Sequence, residues 1–145
     1  DEDSYRAIRN RSIRDGDIII IRYEGPRGAP GMREVMLSTE SIVGMGLDGK
    51  VSLVTDGRFS GFSRGPIIGH VSPEAVLGGP IAAVKNGDSV VIDIPGRRLD
   101  LEVPDDEIRD RLARWSAPEP KAKFGFLSLY AKTAEPAELG ASMRA

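Results

Sequence analysis

The sequence contains no cysteine. This absence excludes disulfide bonds and thiolate metal sites, so cysteine ligands for zinc or an iron–sulfur cluster would have to come from elsewhere. The chain also has a single histidine, His70, which follows an apolar run and which we interpret as a structural histidine bonded to backbone. A hydrolase triad would have only this residue as its base.

Long apolar runs and blocks of like charge are also missing. No stretch approaches the roughly 20 apolar residues that span a bilayer, and the first residues, DEDS, lack the basic flank and apolar core of a signal peptide. The 20 basic and 22 acidic residues are mixed along the chain and give a formal net charge of -2. We therefore expect a soluble, cytoplasmic protein that binds neither nucleic acid nor membranes.

The length of 145 residues and the hydrophobic content of 40% indicate one domain with a core. In the first half, apolar segments alternate with breakers, and the segment 24–31 has three glycines and two prolines that expose backbone N–H groups. We predict a helix at 3–11, a central strand at 17–23 covered on both faces, a loop at 24–31, a helix within 32–47 capped by Ser38 or Ser41, and a strand at 51–54.

The second half combines strand and helix patterns. We predict a strand at 67–71, a helix starting at Ser72 and Pro73, a β-hairpin that turns at 95–97, a helix capped by Asp105, and a partly extended tail at 117–145 with a short helix at 126–132. The fold class is α+β or mixed. We expect a closed or half-closed barrel with short peripheral helices rather than a doubly wound sheet.

The most informative segment is 55–65, TDGRFSGFSRG, which comes after the strand at 51–54. The carboxyl end of a strand is a common ligand position in α/β sheets. Ser60 precedes a glycine there, so its hydroxyl is exposed beside N–H groups that can stabilise an anion. On spacing alone, a turn in which Ser60 caps local backbone is the favoured interpretation. A nucleophile elbow is not indicated, because position 58 is Arg where that motif needs glycine.

Each charged residue near this segment could either bind a ligand or have a purely structural role. Arg58 and Arg64 suit a substrate carboxylate or phosphate, but pairing with Asp56 or another acid to stiffen the loop is equally consistent with the sequence. Glu34 comes after the glycine-rich segment and could ligate a hard cation such as Mg²⁺, and Glu24 at its start has similar standing. A single glutamate is more often a solvated or capping side chain.

Several motifs in series resemble one family. They are IRYEGP at 21–26, PGMRE at 30–34, TDGRFSG at 55–61, GHVSPEA at 69–75 and GGPIA at 78–82, with a weaker match in LYAK at 129–132. In this order they resemble the carboxyl-terminal part of the dihydroxy-acid dehydratase and phosphogluconate dehydratase family. Within the family, RGP at 64–66 and the run into GHVSPE are more similar to the branched-chain dihydroxy-acid dehydratases than to the sugar-acid branches.

The resemblance implies a hydro-lyase that removes water from a 2,3-dihydroxy carboxylic acid and gives a 2-keto acid, in the synthesis of branched-chain amino acids. In such enzymes an iron–sulfur cluster binds the departing hydroxyl, and Mg²⁺ binds the substrate carboxylate and 2-hydroxyl. Ser60 matches the serine that takes the C2 proton as an alkoxide, and Glu34 matches a carboxylate that reaches Mg²⁺. A serine hydroxyl needs nearby positive charge and N–H donors to ionise at neutral pH.

This chain lacks the cysteines that hold the cluster in the family, which lie with most Mg²⁺ ligands in a larger amino-terminal domain. The resemblance therefore implies that residues 1–145 form one carboxyl-terminal, swivelling β/β/α barrel-like domain, inactive alone, within a full-length homodimer. Two alternatives stay open at this point. One is a sugar-acid dehydratase, and the other is a non-catalytic module that binds a small carboxylate through Arg58 and Arg64.

Overall fold

The computed structural model describes residues 1–144 and has a mixed α/β fold, which confirms the predicted class. Its helices are α1 (Glu2–Arg9), α2 (Leu37–Gly44), α3 (Asp105–Ala113) and α4 (Gly125–Thr133). Its strands are β1 (Ile18–Ile21), β2 (Ser52–Thr55), β3 (Ile67–Ile68), β4 (Val90–Asp93) and β5 (Arg98–Leu101). Short 3₁₀ turns span Ala75–Leu77, Pro80–Ala83 and Ala137–Leu139. No helix within residues 1–144 has the length and apolar character needed to cross a membrane.

The first three strands form a parallel sheet in the order β1-β2-β3. Its central strand is therefore β2, and the prediction that β1 is central is wrong. The predicted cover on both faces of β1 is confirmed, because each face of the strand meets its own cluster. Ile19 and Ile21 belong to the main core, whereas Ile20 packs on a second cluster built around Ala75 and Ile81.

The main core lies between the sheet and the first two helices. Its fully buried members include Ile8 of α1, Ile42 of α2 and Leu53 of β2. Burial of a large aliphatic side chain contributes about 1.5–3 kcal/mol relative to exposure. This packing anchors β2, and with it the segment that leaves the carboxyl end of β2.

The strands β4 and β5 form the predicted hairpin, with Val90 opposite Leu101 and Asp93 opposite Arg98. The backbone N–H of Gly96 donates to the Asp93 carboxylate at 2.9 Å and closes the turn. Within residues 1–144 the three-stranded and two-stranded sheets are both open. The barrel-like arrangement is therefore not confirmed.

Two predicted helix starts in the second half of the chain differ from the structure. Residues after Ser72 and Pro73 form only a short 3₁₀ turn, because Gly78 takes a left-handed conformation (φ 77°) and ends it. Helix α3 begins at Asp105 itself, preceded by Pro104, and no side chain caps it.

Helix α2 receives its cap from a distant part of the chain. The Asp1 carboxylate accepts hydrogen bonds from the N–H groups of Leu37 at 3.3 Å and Ser38 at 3.1 Å. The Ser38 hydroxyl donates to the same carboxylate at 2.6 Å. The prediction that Ser38 or Ser41 caps this helix is therefore wrong, because a long-range carboxylate satisfies the free N–H groups instead.

The segment after residue 117 packs on the glycine-rich loop, by which we mean residues 24–31. Helix α4 contains the predicted short helix at 126–132. Just beyond α4, the Ala134 carbonyl accepts a hydrogen bond from Arg27 Nε at 2.8 Å. Before α4, the Lys121 ammonium donates to the Glu24 carboxylate at 2.8 Å. The two ends of α4 are thus tied to the same loop.

Candidate functional site

The serine loop, residues 56–66, leaves the carboxyl end of β2 as predicted. Within it, Ser60 Oγ accepts a hydrogen bond from the Phe62 N–H at 3.3 Å, and the Ser60 carbonyl accepts one from the Ser63 N–H at 3.0 Å. Ser60 therefore makes the local turn that its spacing favours. The contact uses a lone pair of Oγ, so the hydroxyl hydrogen is not engaged by it, and the N–H points partial positive charge at the oxygen.

Ser60 opens onto a cleft of about 310 Å³ between the serine loop and α2. Arg64 lines the same cleft and is exposed, and Phe62 on its rim is 95% exposed. The remaining lining residues are Met36, Thr39, Glu40, Val43 and Ser63. The cleft thus offers three hydroxyl side chains, one guanidinium, one carboxylate and apolar groups to a small ligand.

Glu34 and Arg58 form a second pair outside this lining. They face each other in a parallel β-bridge, and the N–H of the next residue, Val35, donates to the Arg58 carbonyl at 2.8 Å. The Arg58 guanidinium lies 3.8 Å from the Glu34 carboxylate and donates through Nε to the Met32 carbonyl at 2.5 Å. Arg58 therefore pairs with Glu34 rather than with Asp56.

Asp56 is a site residue whose role the sequence did not reveal. Its side chain is fully buried, and its carboxylate accepts hydrogen bonds from the N–H groups of Glu24 at 2.9 Å, Tyr23 at 3.0 Å and Ala75 at 2.8 Å. No Lys or Arg lies within 4.0 Å of this carboxylate among residues 1–144, so backbone dipoles alone satisfy it. An aspartate directly after a buried strand and before a glycine was the available signal.

Glu74 is the second buried carboxylate that sequence reasoning missed. It accepts from the N–H groups of Arg27 at 3.0 Å and Gly28 at 2.9 Å, in the middle of the glycine-rich loop. Burial raises the pKa of Glu74, and the two N–H donors oppose this rise. A Cβ on Gly25 would lie 2.5 Å from the Glu74 carboxylate, so only glycine fits at that position.

Glu24 is engaged within the fold. Its buried carboxylate lies 2.8 Å from Lys121 Nζ and 3.8 Å from Arg33 Nε. These side chains line a larger cavity of about 610 Å³ on the glycine-rich loop, where Glu2 in turn pairs with Arg33 at 2.7 Å. That hydrogen bond lowers the pKa of Glu2 to about 2. The charges of this cavity thus compensate one another.

The single histidine, His70, lies two residues after the end of β3. The backbone N–H of His70 donates to the Gly57 carbonyl at 2.8 Å, and the residue is exposed with a left-handed φ of 58°. This bond comes from the main chain of His70, so the prediction of an imidazole bonded to backbone is not confirmed.

The metal-ligating capacity of the described chain is small. Residues 1–144 contain no cluster of three or more His, Cys, Asp or Glu side chains that could hold a metal ion. Glu34 is half-buried and offers carboxylate oxygens, which suit Mg²⁺ as one ligand of a larger set. The chain has no cysteine for an iron–sulfur cluster, so its residues do not fit that group.

The sequence model described as "Dihydroxy-acid/6-phosphogluconate dehydratase C-terminal" matches residues 1–141, and the chain belongs to this family.

Three similar proteins are all named dihydroxy-acid dehydratase. The chain is 52% identical to a dihydroxy-acid dehydratase of Syntrophotalea carbinolica over 145 residues, which are 100% of this chain and 26% of that protein. It is 58% identical to a dihydroxy-acid dehydratase of Acetivibrio thermocellus over 135 residues, 93% of this chain and 24% of that protein. A dihydroxy-acid dehydratase of Saccharolobus islandicus is 51% identical over 99% of this chain and 26% of its own length. The chain thus spans about a quarter of these relatives.

Proposed function

We propose that this chain is the carboxyl-terminal domain of a dehydratase that converts a 2,3-dihydroxy carboxylic acid to a 2-keto acid in branched-chain amino acid synthesis. The observation that carries the proposal is the setting of Ser60. Its oxygen lies in a cleft with Arg64, and the Phe62 N–H points at it from 3.3 Å. The similarity to three dihydroxy-acid dehydratases supports the same reaction class.

In this proposal Ser60 is the base. The reaction removes a hydrogen from C2 and a hydroxyl from C3 as water, and the resulting enol tautomerises to the 2-keto acid. Ser60 Oγ takes the C2 proton, so it must first carry negative charge. The Phe62 N–H stabilises that charge because a hydrogen bond to an anion is stronger than one to a neutral oxygen.

Two arginines orient the substrate in the proposal. Arg64 faces the cleft of Ser60, and a guanidinium can hold a carboxylate through two parallel hydrogen bonds. Arg58 is proposed to assist from beside Glu34, since its Nε is occupied by Met32 while about half of its side chain is exposed.

Glu34 is the residue of this chain proposed to hold Mg²⁺. Such an ion, when bound, would supply positive charge that favours ionised oxygens nearby. The other ligands, and cysteines for an iron–sulfur cluster, are proposed to come from an amino-terminal domain of the same protein. The chain alone is therefore proposed to be inactive. A swivelling, barrel-like arrangement, a cytoplasmic location and assembly as a homodimer are parts of the same proposal.

A sugar-acid dehydratase is the second candidate, because the matching family includes 6-phosphogluconate dehydratases. The two candidates differ in the group that C3 of the substrate carries, which is an alkyl group in one case and a polyhydroxylated chain in the other. Rates with a branched aliphatic 2,3-dihydroxy acid and with an aldonate or phosphogluconate, measured on the full-length protein, separate them. Turnover of only the polyhydroxylated acids would favour the second candidate.

The test of the base compares two serines of one cleft in the full-length protein. Ser60→Ala should lower kcat by about 10²–10⁴-fold, the range of a lost general base, while cluster absorbance stays intact. Ser63→Ala is the matched control, since Ser63 lines the same cleft, and it should stay within a few-fold of the unsubstituted protein. Near-normal turnover of Ser60→Ala would overturn the assignment of Ser60 as the base.

A further inference from the structure

Asp56 lies at a crossing of the two loops that carry the proposed site. Its carboxylate accepts hydrogen bonds from the N–H groups of Glu24, the first residue of the glycine-rich loop, and of Tyr23 just before it. Ten residues after Glu24 the chain returns to the same segment, where Glu34 pairs with Arg58. The glycine-rich loop is thus fastened at both ends to residues 56–58.

Close packing reinforces the first of these ties. A Cβ on Gly57 would lie 2.7 Å from the Glu24 Cβ and 2.9 Å from the Glu24 carbonyl oxygen, so the two backbones are in direct contact. The Gly57 carbonyl accepts from the His70 N–H at 2.8 Å on its other side. By contrast, within residues 1–144 Ser60 forms hydrogen bonds only in its own turn, with Phe62 and Ser63. The position of Ser60 therefore depends on how its loop is anchored at residues 56–58.

We infer that Asp56 is a positioning residue, which sets the place of Ser60 relative to Glu34 by binding the backbone N–H groups of Tyr23, Glu24 and Ala75. The inference rests on the proposed function and deepens it. Asp56 touches neither substrate nor metal in this role. It acts through the backbone, and an error of about 1 Å in such an arrangement can lower a rate by about 10²-fold.

The substitution Asp56→Asn probes this role with little change in volume. A carboxamide has one oxygen where the carboxylate has two, so either the Glu24 N–H or the pair from Tyr23 and Ala75 loses its acceptor. Glu74→Gln is the matched control. This substitution replaces a second buried carboxylate, which also accepts hydrogen bonds from N–H groups of the glycine-rich loop, at Arg27 and Gly28. Glu74 is not part of the serine loop.

In the full-length protein, rates are expressed per folded active site. Asp56→Asn should lower kcat about 10–100-fold with KM changed less than about 3-fold, because misplacement of the base affects the chemical step. Glu74→Gln should lower kcat less than about 3-fold. Equal losses in the two variants, in proportion to their loss of folded protein, would mean that Asp56 has only a structural role and would overturn the inference.

Amide hydrogen exchange of the full-length protein gives a readout that does not need turnover. Asp56→Asn should speed exchange at residues 57–63 and 32–35 more than elsewhere. If the unsubstituted protein has no dehydratase activity, the proposed function fails, and unchanged exchange at 57–63 would separately overturn the role of Asp56.

A second variant covers the case in which Asp56→Asn does not fold. Ala75→Pro removes one of the three N–H donors, and Glu74 before it is already extended (ψ 158°), as a residue before proline requires. This variant should show a smaller fall in kcat, with exchange raised at the same residues. Unchanged kcat and unchanged exchange in folded Ala75→Pro would count against the inference.

Discussion

The Lys121 ammonium and the Glu24 carboxylate are 2.8 Å apart although 97 residues separate them in the chain. The Glu24 side chain is only 6% exposed, whereas that of Lys121 is 47% exposed. The same ammonium also donates to the Tyr23 carbonyl at 2.8 Å. The segment that precedes α4 therefore neutralises a buried charge of the glycine-rich loop.

Lys121→Met should lower the free energy of unfolding of the chain by about 1–3 kcal/mol, because Glu24 loses its nearest cation while it stays buried. Arg33, at 3.8 Å, keeps the loss from being larger. Urea unfolding measures the change. Lys123→Met is the control, since Lys123 pairs with an exposed Glu119, and it should change stability by less than about 0.5 kcal/mol. Equal changes in both variants would contradict the prediction.

Gly57→Ala should lower the free energy of unfolding by about 1–3 kcal/mol, the usual range for overpacking. The new Cβ would meet the Glu24 Cβ at 2.7 Å, and the backbone on either side has to move. Gly61→Ala in the same loop is the control, because no heavy atom of residues 1–144 outside Gly61 and its two chain neighbours lies within 4 Å of its new Cβ. Urea unfolding compares the two. If Gly61→Ala were as destabilising as Gly57→Ala, close packing at Glu24 would not be the cause.

Glu74 should make the stability of the chain fall as pH rises. Burial raises its pKa in the folded protein above the ordinary 4.5, so the folded state holds the proton more tightly than the unfolded state. The contribution is fully present below about pH 4.5 and is lost as pH rises through the folded pKa. Urea unfolding from pH 4 to 8 should give a stability difference between the unsubstituted chain and Glu74→Gln that shrinks with pH. A difference that grows with pH would refute the prediction.

Asp88 should have the opposite pH dependence. Its carboxylate lies 2.5 Å and 3.0 Å from two nitrogens of Arg111, and this hydrogen bonding lowers the pKa of Asp88 below the ordinary 3.8. The stabilisation is present above about pH 3.8 and is lost as pH falls through the folded pKa. Asp88→Asn should therefore lower the melting temperature at pH 7 more than at pH 3. Asp110→Asn, an exposed residue of α3, makes the same change of charge and should have little effect at either pH.

The sequence correctly predicted the structural elements that are determined by residues close together in the chain. The alternation in β4 and β5, the turn at 95–97 and the loop after β2 depend on neighbouring residues, and the structure contains all three. The order of strands in the sheet is not determined by residues adjacent in sequence. The apolar run of β1 therefore could not reveal that β1 is an edge strand. The predicted cap of α2 was wrong for the same reason, because the residue that caps this helix, Asp1, is distant in the sequence.

The sequence likewise singled out some residues of the candidate site and missed others. The sequence drew attention to Ser60 and Arg64, which the structure brings to one cleft, and to Glu34 and Arg58, which it pairs. The buried carboxylates of Asp56 and Glu74 were missed, because an acidic residue in a loop is usually solvated. Their partners are backbone N–H groups 19 to 47 residues away, and only the folded chain reveals them.

The four isoleucines of β1 have a consequence for synthesis of the chain. In the part of the chain that the structure describes, β1 pairs only with β2, which is made after the glycine-rich loop and α2. Until then a short, uncharged, β-branched segment is exposed with its backbone groups unpaired, which is the composition that seeds intermolecular sheets. Aspartate and arginine at positions 17 and 22 flank this segment and oppose such pairing. Substitutions that slow the pairing of β2 with β1 should therefore lower the yield of folded protein, even where they leave the catalytic rate of the folded protein unchanged.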